Sequence, residues 1–128
     1  MKAITCTRYG APDQVLRLAE IDEPVVADDA VLVEVHAASV NAADWHLIRG
    51  LPYLARLTIG LRRPSFTVPG SDVAGRVVAV GCDVSRFAVG DDVFGTTFMD
   101  GFGGFAERVA VAEHRLARKP AHVGFDEA

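Results

Sequence analysis

Cysteine is scarce in this chain: Cys6 and Cys82 are the only two among 128 residues. Two thiols cannot build a four-cysteine structural zinc site. They read as reduced, structural thiols rather than a disulfide framework, because no secretory leader accompanies them. Met1 and Lys2 run into mixed polar residues instead of the apolar core of a signal peptide. No run of about 18 apolar residues occurs either, so no membrane span is expected and a cytoplasmic protein is the default. Basic charge is also short, with 13 Lys and Arg against 17 Asp and Glu and a formal net charge of -4. Nucleic-acid binding needs a clustered basic face to neutralise phosphates. The one tight basic pair, Arg62 and Arg63, reads as part of a solvated loop. Neither nucleic acid nor membrane is an expected partner.

What is present fits a single globular domain. Half the residues are hydrophobic and 23% are charged, enough apolar material for a real core. Strand signals dominate. Residues 2–7 form a short β-branched run, followed by a turn cluster around Gly10 and Pro12. Residues 15–20 alternate again. The strongest strand covers residues 30–39, where Val31, Val33 and Val35 share one face and Leu32, Glu34 and His36 the other. His36 accordingly reads as a surface or barrel-flank residue. The second half is a series of short strands separated by glycine turns, over residues 73–80, 92–95 and 104–112. Residues 73–80 are apolar apart from Arg76 and read as buried. Short strands at this spacing, with glycine at the corners, suggest a barrel or sandwich.

One segment departs from the strand pattern. Residues 41–50 have helical spacing, with Asn41 as a fair N-cap and Gly50 as the stop. Asp44 is expected to hold this segment by accepting from backbone N–H groups. The following residues, 51–69, are irregular, apolar and broken by Pro52, Gly60, Pro64 and Pro69. A loop of that length in a compact domain is unusual unless it serves a site, which makes it a lid candidate. Ser71 has no evident histidine partner for nucleophilic chemistry. The glycines at 101, 103 and 104 lack the spacing and the flanking strand and helix of a dinucleotide loop, and read as a tight turn. Residues 123–128 look like the start of a capped helix.

Several runs, taken in order, resemble the N-terminal catalytic domain of zinc-independent medium-chain dehydrogenases and quinone oxidoreductases. They are VLVEVHAASVN at 31–41, Asp44-Trp45, VPGSDVAG at 68–75, VVAVG at 77–81, FAVGDDVF at 87–94 and GGFAE at 103–107. Asp-Trp after the asparagine is similar to a subgroup of NAD(P)-dependent alcohol dehydrogenases. The resemblance implies a mainly β fold, a GroES-like partly open β-barrel with one or two short helices. Residues 1–122 would be the catalytic and substrate domain, and 123–128 the start of a linker to a C-terminal Rossmann domain absent from this chain. NADPH or NADH would be bound mainly by that other domain, and hydride would pass to a small quinone, enone or carbonyl substrate.

The same resemblance bears on the metal. Zinc alcohol dehydrogenases carry a cysteine where this chain has Asn41 and a histidine where it has Ser71. Neither an amide nor a hydroxyl is a good zinc ligand, so no metal is expected. No ligand spacing supports an unrelated site from Asp44, His46 and Asp72. By the resemblance Asn41 lies in the cleft beside the nicotinamide, as a catalytic and cofactor-contacting residue able to donate and accept, or it caps the helix, or both. His46 stands where many relatives carry tyrosine; it is a candidate catalytic donor, or a solvent-facing helix residue. Trp45 and Tyr53 are candidate walls of an apolar substrate pocket, with core packing the alternative for Trp45. The full-length protein is expected to be an NAD(P)-dependent enzyme and the isolated chain inactive. The alternative is a free-standing GroES-like binding or scaffold module without catalysis. The oligomeric state stays open.

Overall fold

The computed structural model describes residues 1–98 and 100–128. Seven strands carry the fold: β1 (Lys2–Cys6), β2 (Leu16–Glu20), β3 (Ala30–Ser39), β4 (Asp72–Val80), β5 (Asp92–Thr96), β6 (Arg108–Ala112) and β7 (Leu116–Arg118). Three short helices accompany them: α1 (Pro12–Val15), α2 (Ala42–Arg49) and α3 (Arg56–Ile59). β1 and β2 form an antiparallel pair, and the other five make an antiparallel sheet in the order β6-β3-β4-β5-β7. A bridge between Ala3 and Ala106, with Ile4 N–H donating to Phe105 O, fastens the small sheet to the large one. The mainly β architecture is as expected, and the sheets stop short of a closed barrel.

Two apolar clusters hold this together. Val31, Val33, Val73, Val77, Val93, Val109, Val111 and Leu116 project from one face of the large sheet onto Phe87. Alternation along β3 puts Val31 and Val33 in this core, with Val35 packed against it. The second cluster lies under α2, where Leu47 and Ile48 meet Cys6, Val15, Ile59, Phe66 and Phe102. The i, i+3, i+4 spacing of Asp44, Leu47 and Ile48 aims all three inward. Gly50 ends the helix in the left-handed conformation (φ 65°), as its position promised.

The 51–69 segment is more ordered than its composition suggests. It folds into a single 3₁₀ turn, Tyr53–Ala55, followed directly by α3. Ile59 and Phe66 are buried anchors, and Tyr9 OH donates toward the carbonyls of Ile59 and Gly60. Tyr53, Leu54, Leu57 and Leu61 remain exposed. The last residues form turns rather than a helix, and Phe125 stacks on His36 at 4.4 Å between ring centroids. His36 is thus exposed on the sheet flank, as its alternation required. No helix is long and apolar enough to cross a membrane.

Both cysteines are free, Cys6 buried and Cys82 exposed. Burial pushes the Cys6 thiol pKa up, which lowers its thiolate fraction further. Native protein treated with iodoacetamide is therefore expected to be alkylated at Cys82 alone, with Cys6 reacting only after denaturation. Peptide mapping showing equal labelling of both in the folded state would contradict this burial.

Candidate functional site

β3 and β4 deliver the polar groups. Their pairing is irregular at two places, between Leu32 and Val33 and between Val35 and Ala37, so His36 is passed over without a partner. An extra residue of this kind changes which side chains share a sheet face, because the period is two. Beyond it, Ala38 opposes the buried Val73, and Ser39 opposes Asp72. Ser39 Oγ lies 3.4 Å from Asp72 Oδ2. Two residues later the chain enters α2, and the Asn41 carboxamide comes back onto this pair. Its Nδ2 donates to Asp72 Oδ2 at 2.5 Å and to Ser39 Oγ at 3.2 Å.

A second polar pair lies directly beneath. Asp44 is fully buried; its Oδ2 accepts from Asn41 N–H at 2.8 Å, and its Oδ1 accepts from Ser71 Oγ–H at 2.7 Å. The first bond is the backward half of a capping box, a carboxylate at N3 reaching the N-cap N–H. The second ties the start of α2 to the turn that leads into β4. That turn is clamped by the residue just after β5: Thr97 Oγ1 donates to Gly70 O at 2.8 Å, and Thr97 N–H to Ser71 O at 2.6 Å. On its other side Gly104 N–H donates to Gly70 O. The Gly104 amide is thereby used inside the fold, in keeping with a turn rather than a phosphate cradle.

The outer face of the sheet next to this network is a groove of about 700 Å³. Alternate residues floor it: Ala37 and Ser39 from β3, Asp72 and Ala74 from β4, Phe94 and Thr96 from β5. Phe125 and Asp126 border it. Its floor mixes apolar side chains with Ser39 and Asp72, the pair that Asn41 bonds, and His114 and Arg115 add polar groups to its lining.

The residues singled out from the sequence are not all gathered here. Asn41 is in the network, and Asp44 plays the backbone-bonding part expected of it. His46, Trp45 and Tyr53 do not line the groove. Trp45 is 44% exposed, stands edge-on to the His46 ring at 5.0 Å, and carries the Arg49 guanidinium over its face at 4.5 Å. Tyr53 is 71% exposed, with Arg56 over its ring. Trp45 is accordingly no core residue. Ser39 was missed by sequence reasoning, since a serine at a strand end has no distinguishing pattern. Among the described residues the only group with metal-ligand spacing is Asp28, Cys82 and Asp83, all exposed in the loops at the opposite end of the β3–β4 pair.

Comparison with known proteins places these positions in a wider context. Residues 27–121 match the alcohol dehydrogenase GroES-like domain. A 2-methylene-furan-3-one reductase of Solanum lycopersicum is 37% identical over 100% of this chain and 33% of its own length. A quinone oxidoreductase of Homo sapiens is 32% identical over 98% of this chain and 35% of its own length. The solved quinone oxidoreductase from Coxiella burnetii superposes with a TM-score of 0.89 at 32% identity, covering 100% of this chain and 39% of that one. The chain thus spans about a third of the length of the curated relatives it matches.

Proposed function

The chain belongs to the alcohol dehydrogenase GroES-like domain family, and from that premise we propose that it is the substrate-side domain of a zinc-independent, NAD(P)H-dependent oxidoreductase. The observation that carries the reading is the state of Asn41 and Ser71. Family resemblance makes these the positions where zinc dehydrogenases hold thiolate and imidazole. Here the Asn41 carboxamide donates to Asp72 and Ser39, and the Ser71 hydroxyl donates to buried Asp44. Both side chains are committed to protein partners, and neither is a good ligand for zinc. The residues present do not suit that metal.

A nicotinamide cofactor, when bound, supplies the hydride. The residues suited to sit beside it are Ser39 and Asp72 in the groove and Asn41, which is bonded to both, while Ala37, Ala74 and Phe94 offer an apolar floor. Such a floor suits a small conjugated carbonyl or quinone and excludes water from the reacting bond. The pyrophosphate half of the cofactor needs a helix N-terminus in a dinucleotide fold, which we assign to a C-terminal Rossmann domain outside residues 1–128. His46, Trp45 and Tyr53 are proposed to border the substrate only if that second domain builds a wall of the cleft over α2.

Two measurements test this. The full-length protein should oxidise NADH or NADPH with a quinone or enone acceptor and contain no stoichiometric zinc by elemental analysis. One zinc per chain, lost together with activity on chelation, would overturn the metal assignment. Residues 1–128 alone should bind NADPH more weakly than about 0.1 mM by calorimetry, because the fixed cost of association is then met by few contacts. Low-micromolar binding by this chain would refute the division of labour.

A further inference from the structure

We infer that Asp72 is the positioning residue for Asn41, fixing its carboxamide so that both N–H donors are taken up inside the protein and only the carbonyl oxygen, which also accepts from the Asp44 N–H in the capping box, keeps a lone pair for a ligand. The inference rests on the oxidoreductase reading for its consequence, but its geometry stands alone. A primary carboxamide has two N–H donors and one oxygen acceptor. Asp72 is a carboxylate and therefore only accepts when ionised. Turning the Asn41 amide over would place its oxygen against Asp72 Oδ2, two acceptors facing each other with no proton between. Charge thus sets Nδ2 toward Asp72, and the capping box acts in the same sense by turning the oxygen toward the Asp44 N–H. Ser39 Oγ takes the second N–H at 3.2 Å. Both donors are then used, and the amide has no N–H left with which to polarise a carbonyl.

This changes the part Asn41 can play. Its expected versatility as donor and acceptor reduces to that of an acceptor, so the group it recognises must bring a hydroxyl or an N–H. The electrophilic hydrogen bond to a substrate carbonyl has to come from elsewhere.

The test has a spectroscopic arm and a kinetic arm. In ¹⁵N-labelled protein the Asn41 side-chain NH₂ signal, identified by its loss in Asn41→Ala, should lie away from free carboxamides and return toward them in Asp72→Ala. An unmoved signal overturns the inference, whatever the enzyme does. In the full-length protein Asp72→Ala should lower kcat/KM by roughly 10- to 100-fold, the size of one charge-assisted hydrogen bond. The double variant with Asn41→Ala should be no worse than Asn41→Ala alone. Fully additive losses overturn it. Should Asp72→Ala fail to fold, Asp72→Asn keeps the shape, frees the amide to turn over, and carries the same comparison. If the unmodified full-length protein oxidises no nicotinamide, the oxidoreductase reading fails while the amide signal still decides Asp72.

Discussion

Replacing Asp44 with alanine is expected to destabilise the chain by about 3 kcal/mol. The carboxylate is fully buried and holds two donors, Asn41 N–H at 2.8 Å and Ser71 Oγ–H at 2.7 Å. Its removal leaves a buried hydroxyl and a helix-cap N–H without partners, at about 1–3 kcal/mol for each unsatisfied group. Loss of the capping contact adds to this. Urea unfolding gives the number directly from the shift in midpoint at constant slope. A loss below about 1 kcal/mol would mean that water takes over the role of the carboxylate. Ser71→Ala provides the internal check. Combined with Asp44→Ala it should cost less than the sum of the two single changes, because the second removal deletes the stranded hydroxyl.

Gly75→Ala should be at least as damaging, for a steric rather than a polar reason. A methyl group at this position would lie 2.0 Å from Glu34 O and 2.8 Å from Val33 Cγ1. The first of these is backbone, fixed in the middle of the β3–β4 ladder next to the irregularity at His36. The carbonyl cannot swing aside without breaking pairing that also sets Ser39 opposite Asp72. Overpacking of a well-filled site costs about 1–3 kcal/mol when side chains can yield, so a loss above about 3 kcal/mol is expected here. Gly90→Ala is the control: nothing lies within 4 Å of its added methyl, and only its φ of 96° opposes the change. That substitution should cost about 1–2 kcal/mol. Thermal unfolding of the two variants side by side separates crowding from backbone strain. Equal losses would show that the close approach at Gly75 is easily relieved.

Much of the architecture was legible in the residues. Alternation identified β3 with its buried valine face, and cap chemistry located α2 between Asn41 and Gly50. These are local matters, decided by side-chain period and by which residues accept a left-handed φ or a free N–H. The Asn41–Asp44 contact was equally readable, because residues at the N-cap and three positions on always meet on a helix. Other features left no pattern to find. β7 is three residues long and follows a tight turn, too short for any period to declare itself. The 51–69 segment looked irregular because its order comes from Tyr9, Ile59 and Phe66, which meet only in the folded chain.

The same division runs through the site. The sequence by itself determined which chemistries were available: an amide and a hydroxyl, by resemblance at the metal-ligand positions, too few cysteines for a zinc lobe, and carboxylates at 44 and 72. Tertiary structure alone decided how they are used. Asn41 and Asp72 are 31 residues apart, and nothing in either neighbourhood signals the other. They meet because β3 and β4 pair in a register that sets Ser39 opposite Asp72, the irregularity at His36 undoing the one between Leu32 and Val33, and the cap of α2 then returns Asn41 onto that pair. Helical spacing likewise placed Trp45 and His46 on the exposed face of α2, but what such a face looks toward depends on whatever packs across from it. Local propensity is carried by each residue, whereas register and facing are properties of pairs, and pairs exist only once the chain has folded.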